Sequence, residues 1–217
     1  AGILVTLLLG SRLVDHGSWS MVFYLVALST LPALLLVVFS WDRRRSSPAV
    51  EVFAWSAFGA LARRDVIVLA ATGVIYALAL DGVLSYLSYH PGAGGIGSIG
   101  LVGGLVAISM FGRIAGALVN GAVTRRLGYR RAMYLAIGLS AVACGSLALD
   151  VGTVFLALAC FLFGFAYGYY TAVYAAAAMA LSDPRIAASM FAIFMMFLNI
   201  GVAVGQAVGG VIVDGLG

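Results

Sequence analysis

The chain has 217 residues, of which 64% are hydrophobic and 9% charged, with a mean hydropathy of +1.13. Soluble domains carry about 25% charged residues, so too few polar groups are present to cover a globular surface, and lipid must be the solvent for most of the chain. The net charge of +4 and pI near 9.3 rest on twelve basic residues, all Arg. Most of these sit in short segments between apolar runs, which is a membrane-orientation pattern and not that of a nucleic-acid-binding face.

A spanning helix needs about 20 mostly apolar residues. The runs, in chain order, are 2–14, 21–40, 66–89, 96–123, 132–149, 153–181 and 186–213. The first begins without Met or a basic n-region, so a signal peptide is not expected. Because the chain starts and stops against apolar runs, both ends are expected to be cut. Trp19 and Trp41 flank the second run as an aromatic belt would. Pro32 lies inside that run, where neighbouring helices can satisfy the backbone groups it frees. The longest runs, about 28 residues, measure about 42 Å at 1.5 Å per residue, so they must tilt or project beyond the hydrocarbon.

The connections alternate in charge. Arg43, Arg44, Arg45, Arg63, Arg64, Arg125, Arg126, Arg130, Arg131 and Arg185 fall on one side. Arg12, Asp15, His16, His90 and Asp150 fall on the other. This bias assigns 42–65, 124–131 and 182–185 to the cytoplasmic side. Within 42–65, a breaker-rich opening leads to 50–58, which reads either as a short surface helix or as a solvated spacer. Pro91–Gly95 reads as an external loop. Cys144 and Cys160, inside apolar runs, read as packing residues.

Asp81 lies well inside its run, where a carboxylate costs about 2.5–3.5 kcal/mol on insertion scales. Asp81, Ser85 and Ser88 share one helix face, and Gly82 marks a place where the helix could break. Asp81 is therefore either a protonation or substrate site beside a water-filled cavity, or a structurally paired acid near the outer mouth. Arg113, between Gly112 and Gly116, either binds an anion or an acid, or reaches the cytoplasmic interface along its own stem. Tyr167, Tyr169, Tyr170 and Tyr174 crowd one run toward mid-span, with Tyr167, Thr171 and Tyr174 in one stripe. They mark a polar cavity or ordinary interhelical hydrogen bonds. Asn199 and Gln206 share a face and serve either as interhelical glue or as solute contacts. Gly201, Gly205 and Gly209 form a small-residue packing ridge. No metalloprotease, serine-hydrolase or P-loop signature occurs, so no enzyme activity, cofactor or metal is expected.

The segment Gly121-Ala122-Val123-Thr124-Arg125-Arg126-Leu127-Gly128-Tyr129-Arg130-Arg131 resembles the cytoplasmic loop motif of the major facilitator superfamily, roughly G-x-x-x-D-R-x-G-x-R-R. Gly121, Arg126, Gly128, Arg130 and Arg131 match, and Arg125 stands at the acidic position. The resemblance implies an all-α, multi-pass transmembrane bundle, an incomplete version of the family's twelve-helix fold with pseudo-symmetric halves. It implies that 1–41 ends an N-terminal half (part of helix 5, then helix 6). It makes 42–65 a central cytoplasmic loop and 66–217 a C-terminal half of helices 7 to 11, without helix 12. Thr6-Leu7 stand where many drug/proton antiporters carry Gly-Pro, which argues against that group. The segment 182–192 looks somewhat like the helix 10–11 joint of muropeptide and acetyl-CoA permease-like members, and no substrate follows from it. The implied function is secondary active transport of a small solute by alternating access in the inner or plasma membrane, coupled to protons or a solute gradient. Its partners are the lipid bilayer and the solute, with no nucleic acid. Asp81 leads the coupling or substrate candidates, followed by Arg113, Tyr170, Tyr174, Asn199 and Gln206, with the motif loop as a latch. The other reading is a non-transporting sensor or assembly partner on the same scaffold.

Overall fold

A computed structural model of the chain describes residues 55–85, 99–149 and 152–216. The first two apolar runs, Trp19, Trp41, Arg12, Asp15, His16, Arg43–Arg45, Ser88, His90, the Pro91–Gly95 stretch and Asp150 lie outside the described residues, as does the Ser85 side chain. Each element among the described residues is a helix. A 3-10 turn, Trp55–Ala62, precedes α1 (Arg64–Ser85). α2 (Ile99–Leu147), α3 (Thr153–Leu181) and α4 (Ala187–Leu216) follow, with a second 3-10 turn, Pro184–Ile186, before α4.

Helix is what hydrocarbon demands of such a sequence, because each backbone N–H and C=O must find its partner within the segment. Three of the described helical stretches, Leu101–Leu147, Thr153–Leu181 and Pro184–Ile212, are long and apolar enough to cross a membrane. Their outer faces are apolar: Leu118 is 74% exposed, Val154 79% and Val211 74%. Side chains of this kind at that exposure fit a lipid surround and not a water-facing one. The bounds of α3 coincide with the run at 153–181, and α1 continues helical through Gly82, a place where it could have broken.

The connection expected at 124–131 is instead helix up to a single residue. α2 runs on past Val123 and turns at Gly128, with φ 76° and ψ 162°. Arg and Leu are good helix formers, so these charges do not themselves interrupt the helix. Arg125 closes the first arm, its Nε donating to the Gly121 carbonyl at 3.0 Å. Cations there suit the negative end of the helix dipole, whereas Arg130 and Arg131 open the second arm against it. The positive φ at Gly128 is a backbone region that L side chains avoid, which explains a glycine at the turn.

Packing is dominated by α2 against α3 and by α1 against α4. At the α2–α3 crossing the helices touch backbone to backbone. A Cβ at Gly112 or Gly116 would meet the carbonyls of Phe161 or Phe165, and one at Gly164 or Gly168 those of Ser109 or Arg113. Gly201 and Gly205 face Val74 and Leu78 of α1 in the same manner, which is the small-residue ridge expected for α4. Ala60 and Leu61 of the first 3-10 turn pack on the core cluster, so this end of the 42–65 segment belongs to the bundle. Cys144 and Cys160 are unbridged, Cys160 buried and Cys144 half-buried.

Candidate functional site

Asp81 sits four residues before the described end of α1 and is half-buried. Tyr167 of α3 donates its Oη proton to Asp81 Oδ2 at 2.7 Å. The guanidinium carbon of Arg113, from α2, lies 3.9 Å from the centre of that same tyrosine ring. One side chain thus joins a carboxylate on one helix to a cation on another. The crossing at Gly112, Gly116, Gly164 and Gly168 makes this reach possible, since it brings the Arg113 backbone against Gly168, the residue after Tyr167.

Arg113 is midway between Ile99 and Gly128, not near the end of its helix. Its Nε is buried and has no hydrogen-bond partner among the described residues. Its guanidinium is therefore held on a tyrosine ring of the neighbouring helix. The head group is drawn to the electron-rich face of Tyr167.

From Tyr167 a file of aromatic rings runs through the bundle. Tyr76 of α1 is tilted against Tyr167, with centroids 6.3 Å apart. It stacks nearly parallel on Tyr170, at 3.3 Å and 9°. Tyr170 leads to Tyr174 at 5.9 Å, and Tyr174 meets the edge of Phe194 on α4 at 6.4 Å and 89°. Each of these hydroxyls is satisfied, as burial requires. Tyr170 donates to the Thr72 carbonyl at 3.2 Å and Tyr174 to the Phe194 carbonyl at 3.3 Å. Ser140 spends its proton on the Ala136 carbonyl at 2.8 Å, so Tyr76 is the donor in its 2.7 Å bond to Ser140. Tyr169 differs, its Oη being buried without a partner among the described residues. Thr171, in the predicted stripe with Tyr167 and Tyr174, bonds back to its own helix at the Tyr167 and Gly168 carbonyls.

A cavity of about 640 Å³ opens at the arginine-bearing end, lined by Asp65, Thr72, Tyr129, Arg130, Tyr134 and Ala177 among others. It reaches inward to Thr72, whose carbonyl takes the Tyr170 proton. The aromatic file therefore abuts the inner wall of a partly polar recess.

The structure brings Asp81, Arg113, Tyr170 and Tyr174 into one connected network through Tyr167 and Tyr76. Asn199 and Gln206 stay apart from it on exposed positions of α4, and the Asn199 amide donates to the Met195 carbonyl of its own helix at 2.9 Å. Arg126, Arg130 and Arg131 are exposed around the turn at Gly128. Gly121 faces open space, so its place in the motif is not a close helix contact. Tyr76, Ser140 and Phe194 were not singled out from the sequence. Each is one ordinary residue in an apolar run, and its partner lies on another helix.

The major facilitator superfamily model matches residues 1–206. Neither a curated protein nor a solved structure matches the chain. A family match over nearly the whole chain, on an all-α scaffold with lipid-facing apolar helices and charges held in an interior cluster, means that the chain belongs to the major facilitator superfamily of multi-pass membrane transporters.

Proposed function

We propose that the chain works in secondary active transport of a small solute by alternating access, coupled to a proton or solute gradient, with Asp81 as the coupling group. The observation that carries this is the Asp81–Tyr167–Arg113 link, which joins three helices through one hydrogen bond and one ring face. Ionisable side chains inside a membrane bundle are costly, and where they persist they mark ion or substrate routes. A carboxylate that takes up and releases a proton changes the strength of its bond to Tyr167, and hence the grip of α1 on α3 and α2. Binding can then bias one packing of the bundle over another.

In this reading 66–217 is the C-terminal half, 42–65 the central cytoplasmic loop and 1–41 the end of the N-terminal half, in an inner or plasma membrane. The turn at Gly128 and its arginines act as a cytoplasmic latch. The recess at Thr72 gives water or solute an approach to the aromatic file from that side. Tyr170 and Tyr174 shape the floor of the route, and Asn199 and Gln206 serve as contacts of the exposed α4 face.

The test uses the complete transporter in proteoliposomes under an imposed pH gradient. An internal pH dye reports proton movement as gluconate, succinate, phosphate, mannitol or choline is added outside. Solute-dependent proton flux supports the proposal. Its absence with every solute overturns it and favours a sensor or assembly role.

A further inference from the structure

Arg113 differs from the other described arginines in lying within the bundle and not at its arginine-bearing end. Its Nε is buried with no hydrogen-bond partner among the described residues, and the face of the Tyr167 ring lies under its guanidinium. A ring face attracts a guanidinium but accepts no directed hydrogen bonds. An oxyanion accepts two in parallel and is the stronger partner. The geometry is that of a cation held in waiting beside a carboxylate, with the Tyr167 hydroxyl on Asp81 and its ring under Arg113.

Building on the transport reading above, we infer that Arg113 receives an oxyanionic group of the transported solute, a carboxylate or phosphate. Tyr167 is a positioning residue that ties this anion site to the protonation of Asp81. With the solute absent, the ring holds the guanidinium. An arriving oxyanion takes its N–H groups, Nε included. The negative charge of ionised Asp81 opposes the incoming anion, and a proton on Asp81 removes that opposition. Proton and anion therefore bind together, each raising the affinity for the other by the same factor. The pair enters with no net change of charge in the site. Other titratable groups near Asp81 are Tyr76 on its own helix and Tyr167 on α3, with Cys144 of α2 beside Tyr76. α4 packs on α1 through Gly201 and Gly205 and carries no ionisable side chain before Asp214.

The experiment is calorimetric titration of the complete transporter in nanodiscs with gluconate, succinate and inorganic phosphate, across a mildly acidic to mildly alkaline series. Mannitol and choline serve as neutral and cationic comparisons. At least one anion binds, and more tightly as pH falls. Arg113→Gln weakens that binding roughly 30-fold or more, as expected for leaving one member of a buried charge pair alone, and Arg113→Lys restores part of it. Tyr167→Phe keeps the ring under Arg113 and loses only the hydroxyl. It retains anion binding at the acid end while the pH dependence moves to higher pH, because the carboxylate has lost a donor that favours its charged form, a change that a merely structural tyrosine would not produce. Absence of anion binding, anion binding unmoved in Arg113→Gln, or an unaltered pH dependence in Tyr167→Phe overturns the inference. Proton-driven flux of mannitol or choline alone sinks the anion site and leaves the transport reading standing. Anion binding without any proton-driven flux does the reverse.

Discussion

Replacing Gly168 by alanine puts one methyl group into the backbone-to-backbone contact where α2 crosses α3. The added Cβ would meet the O, C and Cα atoms of Arg113, all backbone, none of which can swing aside as a side-chain tip would. α2 and α3 must therefore separate at their crossing, which loosens the packing at Gly112, Gly116 and Gly164 as well. Overpacking a fitted contact costs about 1–3 kcal/mol, and removing a glycine from a helix returns about 0.5–1 kcal/mol. The net loss works out at up to about 2.5 kcal/mol, with Arg113 displaced from the Tyr167 ring. Gly138→Ala is the matched comparison, because that helical position has nothing within 4 Å of an added Cβ. It should stabilise by about 0.5–1 kcal/mol. Reversible unfolding in bicelles with increasing denaturing detergent measures both. Equal stability of the two variants would refute the close crossing.

Tyr76→Phe removes the donor to Ser140, while Ser140 keeps its bond to the Ala136 carbonyl. The same unfolding assay should show a loss of about 0.6 kcal/mol, the average for interhelical hydrogen bonds in membrane bundles, and at most about 1.7, and no loss would contradict the assigned donor. In a background without Cys144 and Cys160, Ser182→Cys should react with an impermeant maleimide in inverted vesicles and Thr153→Cys in right-side-out ones, and the opposite pattern would overturn the orientation. Asp183, which caps the Pro184–Ile186 turn and pairs with Arg185 at 3.0 Å, is held below the usual carboxylate range chiefly by its side-chain hydrogen bond to Arg185. Its contribution is present above the unfolded-state value and fades as pH falls through the folded one. Any stability gap between wild type and Asp183→Asn should thus shrink toward acid, and widening would count against the pairing.

The fold was legible where hydrophobicity alone decides. The limits of α3 follow from an unbroken apolar run between Gly152 and Ser182, and the glycine ridge of α4 follows from spacing that survives packing on any neighbour. The turn at Gly128 was legible as well, since a motif glycine between arginine pairs has few other uses. Its surroundings were not: residues 124–127 looked like a loop because they are charged, but charge marks the side of the membrane and does not stop a helix.

The site was legible as an inventory and not as an arrangement. Asp81 stood out by its insertion cost, yet its partner is 86 positions away on α3. Periodicity placed Tyr167, Tyr170 and Tyr174 near one another, but could not say that Tyr167 alone takes the carboxylate while the others bond backbone carbonyls. Arg113 could extend along its helix in either direction, and the choice was made by a ring on a neighbouring helix. Asn199 and Gln206 share a face as expected, and only the packing of α4 on α1 reveals that this face points outward.

The measurement closest to the central claim compares two modes of transport in proteoliposomes bearing Asp81→Asn. Asn at this position keeps a group that accepts the Tyr167 hydroxyl proton but cannot exchange a proton with water. Solute counterflow at equal pH on both sides should persist, while accumulation driven by an imposed pH gradient should vanish, with protein yield unchanged. Gradient-driven accumulation at the wild-type level in this variant would contradict the account and remove Asp81 from the coupling site.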